Sequence, residues 1–344
     1  MHILNGSYGE GGGAILRLAT ALALINQESI KIVNIRKKRP NPGLRTQHLM
    51  GLHALVEFCG GDIEGDYLGS ENIKFTPSND WRSHLSIKIP TAGSIGLILQ
   101  TMQLAILARR NHTLKIEFEG GATFGKWAPS IPYVNHVTWD IFRRVNCKLD
   151  LTINRHGFYP KGGARVTASL MSPSSLQGLK LDVYNKPIKA KILSFASKHL
   201  ERARVAQRQS NSVVKALQKY SISSEVVDKY VDADNPGSGT LIFSKTGNNV
   251  IAGDFIGERK ISAEQVGLKA FERYITTVNR QCTVDPFLAD QIIPFLALTS
   301  SSSVFSTPYL SNHTKTNFKL VKELLDVTVH SEMVNDRFII SIDA

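Results

Sequence analysis

The stretch Asn5-Gly6-Ser7-Tyr8-Gly9-Glu10-Gly11-Gly12-Gly13 constrains this chain more than any other. A short apolar strand (Ile3, Leu4) runs into five glycines within eight positions, and an almost wholly apolar helix follows from Ile15 to Ile25. That density of glycine lets the backbone turn several N–H groups toward one anion and lets a ligand come close. The start of the helix behind it adds the positive end of a dipole. Glu10 puts a carboxylate inside this anion site, which makes sense where a divalent metal bridges it to phosphate oxygens. Arg17 is the one charge on the helix, and burying a charge unpaired is costly, so it marks an end or a site. A glycine-rich strand-to-helix turn with no ligand reads equally well from this segment alone.

Two named phosphate motifs fail here. A Walker loop needs a Lys after its last glycine, and none follows. A dinucleotide fingerprint needs Gly-x-Gly-x-x-Gly, and from Gly11 and Gly13 the third position falls on Leu16. The next strand, Ile30 to Ile35, runs into Arg36 where that fingerprint wants an acid.

Hydrophobic periodicity gives a recurring order of elements. The first unit reads strand 2–5, helix 11–26, strand 29–35, helix 44–59, strand 62–67, strand 71–76. The second reads strand 84–89, helix 93–109, strand 113–118, helix 131–145, strand 147–154, strand 163–170. The tail of this order returns as helix 286–299, strand 302–307, helix 314–326, strand 327–331 and strand 336–342, with a first strand near 178–184. Between them, residues 186–278 follow a different order, strand-helix-strand-strand-strand-helix. The expected fold is therefore α/β (α+β): three β-α-β-α-β-β repeats form a large domain, 1–184 plus 279–344, and a smaller α/β domain, 185–278, is inserted in the third repeat. Loops of equal rank in such repeats lie at equivalent sheet edges, so 36–43, 119–129 and 308–313 should gather near the glycine loop, near 90–94 and near the start of the 286 helix.

The formal charge of +12 over 344 residues suggests a polyanionic partner, nucleic acid first. Three scattered cysteines (Cys59, Cys147, Cys282) show neither metal spacing nor a disulfide framework, which favours a reducing cytoplasm. Apolar runs such as Leu97 to Ala108 are broken by Gln100 and Gln103, so no membrane span is expected, and a first strand at the N-terminus leaves no room for a signal peptide. The sequence leaves a homo-oligomer and a monomer equally open.

Of ten histidines, His313 stands out by position, at the end of a Pro-initiated loop before a helix. A neutral imidazole is a good nucleophile toward phosphorus. The bland alternative is a helix start capped by Asn312 or Thr314, with His313 a bystander. Arg36, Lys37, Lys38, Arg39 and Arg45 form a basic loop able to grip phosphates, or simply a solvated one. Arg202, Arg204 and Arg208 read as a solvated helix face. Pro286-Phe287-Leu288-Ala289-Asp290-Gln291 opens a helix, with Asp290 and Gln291 placed in its first turn and Phe287 able to stack on a base. Capping and core packing explain these residues about as well.

Together these segments closely resemble the RNA 3'-terminal phosphate cyclase family. The matching pieces are Gly9-Glu10-Gly11-Gly12-Gly13 with Ile15-Leu16-Arg17; Asn34-Ile35-Arg36 with Arg39 and Pro42-Gly43-Leu44; Gln47-His48-Leu49; Ala92-Gly93-Ser94; and Leu99-Gln100-Thr101. They continue with His156-Gly157-Phe158-Tyr159-Pro160-Lys161-Gly162-Gly163, then Gly257 to Glu264, Leu288-Ala289-Asp290-Gln291 and His313, in the family's order along nearly the whole chain. The resemblance implies a ligase-class, ATP-dependent enzyme that turns an RNA 3'-phosphate into a 2',3'-cyclic phosphate through a histidine-AMP intermediate. It makes His313 the nucleophile and Glu10 the ligand of a divalent metal, Mg2+ or Mn2+. Gln100 and Phe287, Leu288, Ala289, Asp290 and Gln291 become ATP contacts, and Arg17, Arg36, Arg39 and Gln47 lie near phosphate or metal. Departures are Phe287 where many members have Tyr, Asn312 where Cys often precedes the histidine, and Gly-Gly-Ala with Pro across 122–132, on the adenine side.

Three other readings compete. A cyclase-like branch acts in ribosomal RNA maturation, and the resemblance implies that it lacks the histidine. An enolpyruvyl transferase is built of similar repeats but wants about six of them. A plain RNA-binding protein would explain the charge and leave the glycine loop unexplained.

Overall fold

The computed structural model of the protein describes residues 1–9 and 11–343; Glu10 and Ala344 lie outside the described residues. The first part of the chain gives β1 (His2–Asn5), α1 (Ala14–Asn26), β2 (Ile30–Val33), α2 (Thr46–Cys59), β3 (Asp62–Glu64) and β4 (Ile73–Thr76). Next come β5 (His84–Ser94), α3 (Ile95–Ala105), β6 (Thr113–Ala122), the short α4 (Ile131–Tyr133) and α5 (Trp139–Arg144), β7 (Lys148–Arg155) and β8 (Arg165–Met171). A π turn, Val134–Thr138, joins α4 to α5. Then follow β9 (Lys180–Leu181), β10 (Lys189–Ser197), α6 (Val205–Gln218), β11 (Ser223–Val231), β12 (Ser238–Thr246), β13 (Asn249–Ile256) and α7 (Ala263–Asn279). The chain ends with α8 (Pro286–Leu296), β14 (Ser303–Thr307), α9 (Asn312–Leu325), β15 (Val329–Val334) and β16 (Arg337–Ile342).

Among the described residues, three of the four sheets share one plan: β1-β2-β4-β3, β5-β6-β8-β7 and β9-β14-β16-β15. In each, the first pair is parallel and the other two pairs are antiparallel. A parallel pair needs a crossover, supplied by α1 in the first sheet and α3 in the second. In the third, the connection from β9 to β14 also carries everything from β10 to α7, which builds the fourth sheet, β11-β10-β12-β13.

Alternation along β5 leaves Leu85, Ile87 and Ile89 buried and His84, Ser86 and Lys88 exposed, so this sheet has one face on helices and one in water. The helices pack on one another inside: α1 on α3 and α9, α2 on α3, and α8 on α9. The fourth sheet differs, because β10 is buried on both faces. Ala190 and Ile192 belong to a small core under α6 and α7, whereas Leu193 and Phe195 join the main core. The 185–278 segment is thus seated on the main body through apolar side chains.

Four helix starts differ from the sequence reading: α2 begins at Thr46 and not at 44, α3 at Ile95 and not at 93, and two more have a clear local cause. α1 begins at Ala14 and not at 11, because Gly11 holds a left-handed φ of 59° that no helix residue adopts. α9 begins at Asn312, with Ser311 as its N-cap accepting from the Thr314 N–H at 3.0 Å. Serine is among the best capping residues, and here it outcompetes both Asn312 and Thr314.

Candidate functional site

A cleft of about 1150 Å³ opens where the loops between strands and helices converge. Its walls come from Gly12–Ala14, 36–48, 91–94, 126–129, the start of α8, the start of α9 and the end of β13. The structure brings Arg17, Arg36, Arg39, Gln47, Gln100, Phe287, Asp290, Gln291 and His313 together there. Leu288 and Ala289 are fully buried in the core, and their side chains do not wall the cleft. Glu10 lies outside the described residues.

His313 is the second residue of α9, inside its first turn. A helix of 14 residues directs free N–H groups and a positive dipole end at whatever lies beside it. Asp290, set one turn into α8, accepts from the hydroxyls of Ser311 and Thr314, and its backbone carbonyl accepts from Asn317 Nδ2 at 2.6 Å. The starts of α8 and α9 are therefore tied together around His313. Asp290 and Gln291 sit in the second turn of α8, not the first, because the helix starts at Pro286 on an Asp285 cap.

The opposite material is cationic. Gly13 occupies the N-cap of α1 and has no side chain, so the helix start faces the cleft unscreened. A Cβ on Gly13 would stand 2.2 Å from His48 Nε2, so only glycine fits there. His48 is buried, and its Nδ1 accepts from the Arg45 N–H at 3.0 Å. Burial, aided by Arg17, Arg36 and Arg45, pushes its pKa down to about 3, so the ring is neutral. Arg36 Nη1 donates to the carbonyls of Asn41 (2.7 Å) and Gly43 (2.8 Å), which braces the basic loop. Burial, with Arg45 and Arg39 nearby, also lowers the Arg36 pKa, so these cations repel one another. A polyphosphate would relieve that repulsion.

The other side is a buried acid network that sequence reasoning missed. Tyr133 donates its hydroxyl to both carboxylate oxygens of Asp285, at 2.8 and 2.9 Å. Asp285 also accepts from the N–H groups of Phe287 and Leu288, capping α8. Burial raises its pKa to about 7, against the pull of those hydrogen bonds. Burial likewise raises the Tyr133 hydroxyl, and Asp285 adds to it. Gln291 Nε2 donates to the Phe287 carbonyl at 3.1 Å, and its Oε1 accepts from Thr138 at 2.9 Å. Arg273 stacks between Phe255 and Phe287, with its guanidinium 5.0 and 4.9 Å from the ring centres. That covers part of Phe287, whose stacking partner on this side is a cation. The only signal for Asp285 was its place before Pro286, a cap–Pro pattern shared with many structural helix starts.

The segment 126–129 and Tyr159 form a further wall. The sequence reading placed loop 119–129 near the glycine loop and Tyr159 in a family-matching stretch, but gave Trp127 and Tyr159 no role of their own, since the exposure of Trp127 is invisible there.

Among the described residues no group of three or more His, Cys, Asp or Glu could cage a metal ion. No helix among them is long and apolar enough to cross a membrane.

The chain matches the model of the RNA 3'-terminal phosphate cyclase family over residues 8–331. It is 35% identical to an RNA 3'-terminal phosphate cyclase of Methanosarcina barkeri, covering 98% of this chain and 99% of that one. It is 36% identical to one of Thermococcus gammatolerans (96% and 94% covered) and 33% identical to one of Pyrobaculum neutrophilum (99% and 97%). Among solved structures, the enolpyruvyl transferase NikO of Streptomyces tendae aligns over 99% of this chain and 65% of its own, at 10% identity and a TM-score of 0.27. That likeness is too slight to carry weight.

Proposed function

The chain belongs to the RNA 3'-terminal phosphate cyclase family, and on that premise we propose that it uses ATP to convert an RNA 3'-phosphate end to a 2',3'-cyclic phosphate with His313 as the nucleophile. The observation that supports it most is the single cleft in which His313, at the start of α9, meets Arg17, Arg36, Arg39 and Gln100.

A ring nitrogen of His313 attacks the α-phosphorus of ATP. The bond to the bridging oxygen breaks, pyrophosphate leaves, and AMP stays on the imidazole. An oxygen of the RNA 3'-phosphate then attacks the same phosphorus, frees the imidazole and forms a diphosphate-linked RNA-adenylate. The neighbouring 2'-OH attacks the 3'-phosphorus, loses its proton and expels AMP, closing the ring. Arg17, Arg36 and Arg39 offset the charge that builds on phosphate oxygens in each step. Gln100, Phe287, Asp290 and Gln291 hold the nucleotide, with the Tyr133–Asp285 pair fixing the start of α8 on which three of them stand.

A divalent ion that keeps most of its waters needs only one or two carboxylates plus substrate phosphates. Glu10 is the proposed carboxylate, and the ion would offset charge on the pyrophosphate leaving group. The three buried free cysteines fit a reducing compartment such as cytoplasm.

ATP labelled at the α-phosphate, incubated with protein and Mg2+ or Mn2+, tests this reading. The expected result is label on the protein that survives SDS and is lost in acid, followed on adding 3'-phosphate RNA by release of AMP and a cyclic end. Binding of the RNA with no label transfer would favour a non-catalytic RNA-binding role in its place.

A further inference from the structure

Trp127 is 94% exposed, the most exposed of the large apolar side chains, and it stands on the wall of the cleft. Tryptophan is ordinarily a highly buried residue, so nothing in the packing of this fold accounts for its position. Its backbone is held at a φ of 55°, a conformation a bulky side chain adopts only when its surroundings impose it. Tyr159, 52% exposed, comes from a different loop and lines the same wall. Lys126 lies between them, with Nζ 4.8 Å from the Tyr159 ring centre and 5.7 Å from that of Trp127. Glu258, at 3.6 Å from Lys126 Nζ, steadies the ammonium from the end of the fourth sheet.

We propose that Trp127 and Tyr159 form a stacking platform for a nucleobase of single-stranded RNA upstream of the reacting 3'-end. This rests on the cyclase reading above. A ring pair with a cation between them and open faces is the chemistry that takes up unpaired bases without reading their identity. Arg17, Arg36 and Arg39 line the same cleft as the two rings and His313, so a phosphate backbone bound there meets positive charge. Its volume of about 1150 Å³ also exceeds the range of roughly 300–1,000 Å³ usual for one small ligand, which leaves space for RNA beside ATP. The nucleotide of ATP has its own polar set in Gln100, Asp290 and Gln291. Trp127 and Tyr159 carry no comparable hydrogen-bonding pattern.

The test is binding of 3'-phosphate oligomers of about ten nucleotides, with or without an abasic site at each upstream position in turn. For the wild-type protein one abasic position is expected to raise Kd about tenfold, the loss of one base stack. Trp127→Ala is expected to raise the Kd of the intact oligomer by a similar factor and to be insensitive to that abasic site, and Trp127→Phe to restore most of the affinity. Oligomer binding should also quench tryptophan emission in the wild type, and the quench should vanish in Trp127→Phe. Equal Kd values for wild type and Trp127→Ala would overturn the platform. So would a rise in the KM for ATP in place of the rise in the RNA Kd, which would hand the rings to the nucleotide. Conversion of the same oligomer to a cyclic end is scored separately, so failure of the cyclase reading is distinguishable from failure of the platform.

Discussion

Asp290 on α8 accepts a hydrogen bond at 2.7 Å from the hydroxyl of Ser311, the N-cap of α9. Ser311 therefore has two tasks: it holds the Thr314 N–H and it ties α9 to α8 just before His313. Ser311→Ala is expected to cost about 1 kcal/mol in urea unfolding, the usual loss for a cap, and to slow adenylylation as the His313 turn loosens. Ser311→Thr keeps the hydroxyl and should recover both. If the alanine variant loses stability but adenylylates at the wild-type rate, the tie to Asp290 is only a cap.

His313→Ala should abolish label transfer from ATP while leaving the unfolding midpoint close to wild type. The residue is only partly buried, and the cap of its helix is Ser311, so its loss removes chemistry and not packing. Acid-labile AMP on the His313→Ala protein would refute its role as nucleophile.

Asp285 makes stability fall with rising pH. Its folded pKa, near 7, lies above the unfolded value near 4, so the folded state binds more protons between those values. The contribution is full below pH 4 and is lost on rising through pH 7, at about 1.4 kcal/mol per pH unit in that window. Asp285→Asn keeps an oxygen to accept from the Phe287 and Leu288 N–H groups but no longer titrates. Unfolding free energies measured from pH 4.5 to 8 should show a shallower slope for the variant. Parallel slopes for the two proteins would mean that the carboxyl ionises as readily in the fold as out of it.

The strands and most helices were legible because period-2 and period-3.6 patterns survive wherever one face is buried. Even the two-residue β9 fell within the expected 178–184, since the recurring order demanded a strand to pair with β14. Helix starts were less legible. Ser311-Asn312-His313-Thr314 offers three capping residues in four positions, and only the bond from the Thr314 N–H selects Ser311. The gathering of His313 with Arg36 and Arg39 followed from loops of equal rank, whereas Gln100 on α3 entered through the family resemblance alone. The Tyr133–Asp285 pair did not, because the two residues are 152 positions apart and each reads as ordinary alone. Trp127 escaped notice for the opposite reason: an aromatic between Lys126 and Ala128 looks like core until its exposure is known.

Arg39 should discriminate the RNA end more cleanly than Arg36. Both line the cleft, but Arg36 also braces its own loop through the carbonyls of Asn41 and Gly43 and stands at a φ of 56°. Arg36→Ala then disturbs the loop as well as the charge, and should weaken binding to 3'-phosphate and 3'-hydroxyl oligomers together, with a further loss for the phosphate. Arg39→Ala should lower the preference for the 3'-phosphate with less effect on the hydroxyl form. A lost contact to a terminal phosphate is a lost charge-assisted hydrogen bond, worth about 1.5–3 kcal/mol, or roughly 10- to 150-fold in that preference. The exposed Arg202, before α6, is the contrast. Arg202→Ala should change neither the preference nor, by more than one lost phosphate contact, the salt dependence. Its neighbour Arg208 is already engaged by both oxygens of Glu264, at 2.7 and 2.9 Å, so that face has less charge to offer than its sequence suggests. Kd values for matched 3'-phosphate and 3'-hydroxyl oligomers at two salt concentrations separate these effects. If Arg202→Ala erases the preference while Arg39→Ala keeps it, the RNA end docks on the fourth sheet's helices and not in the arginine-lined cleft.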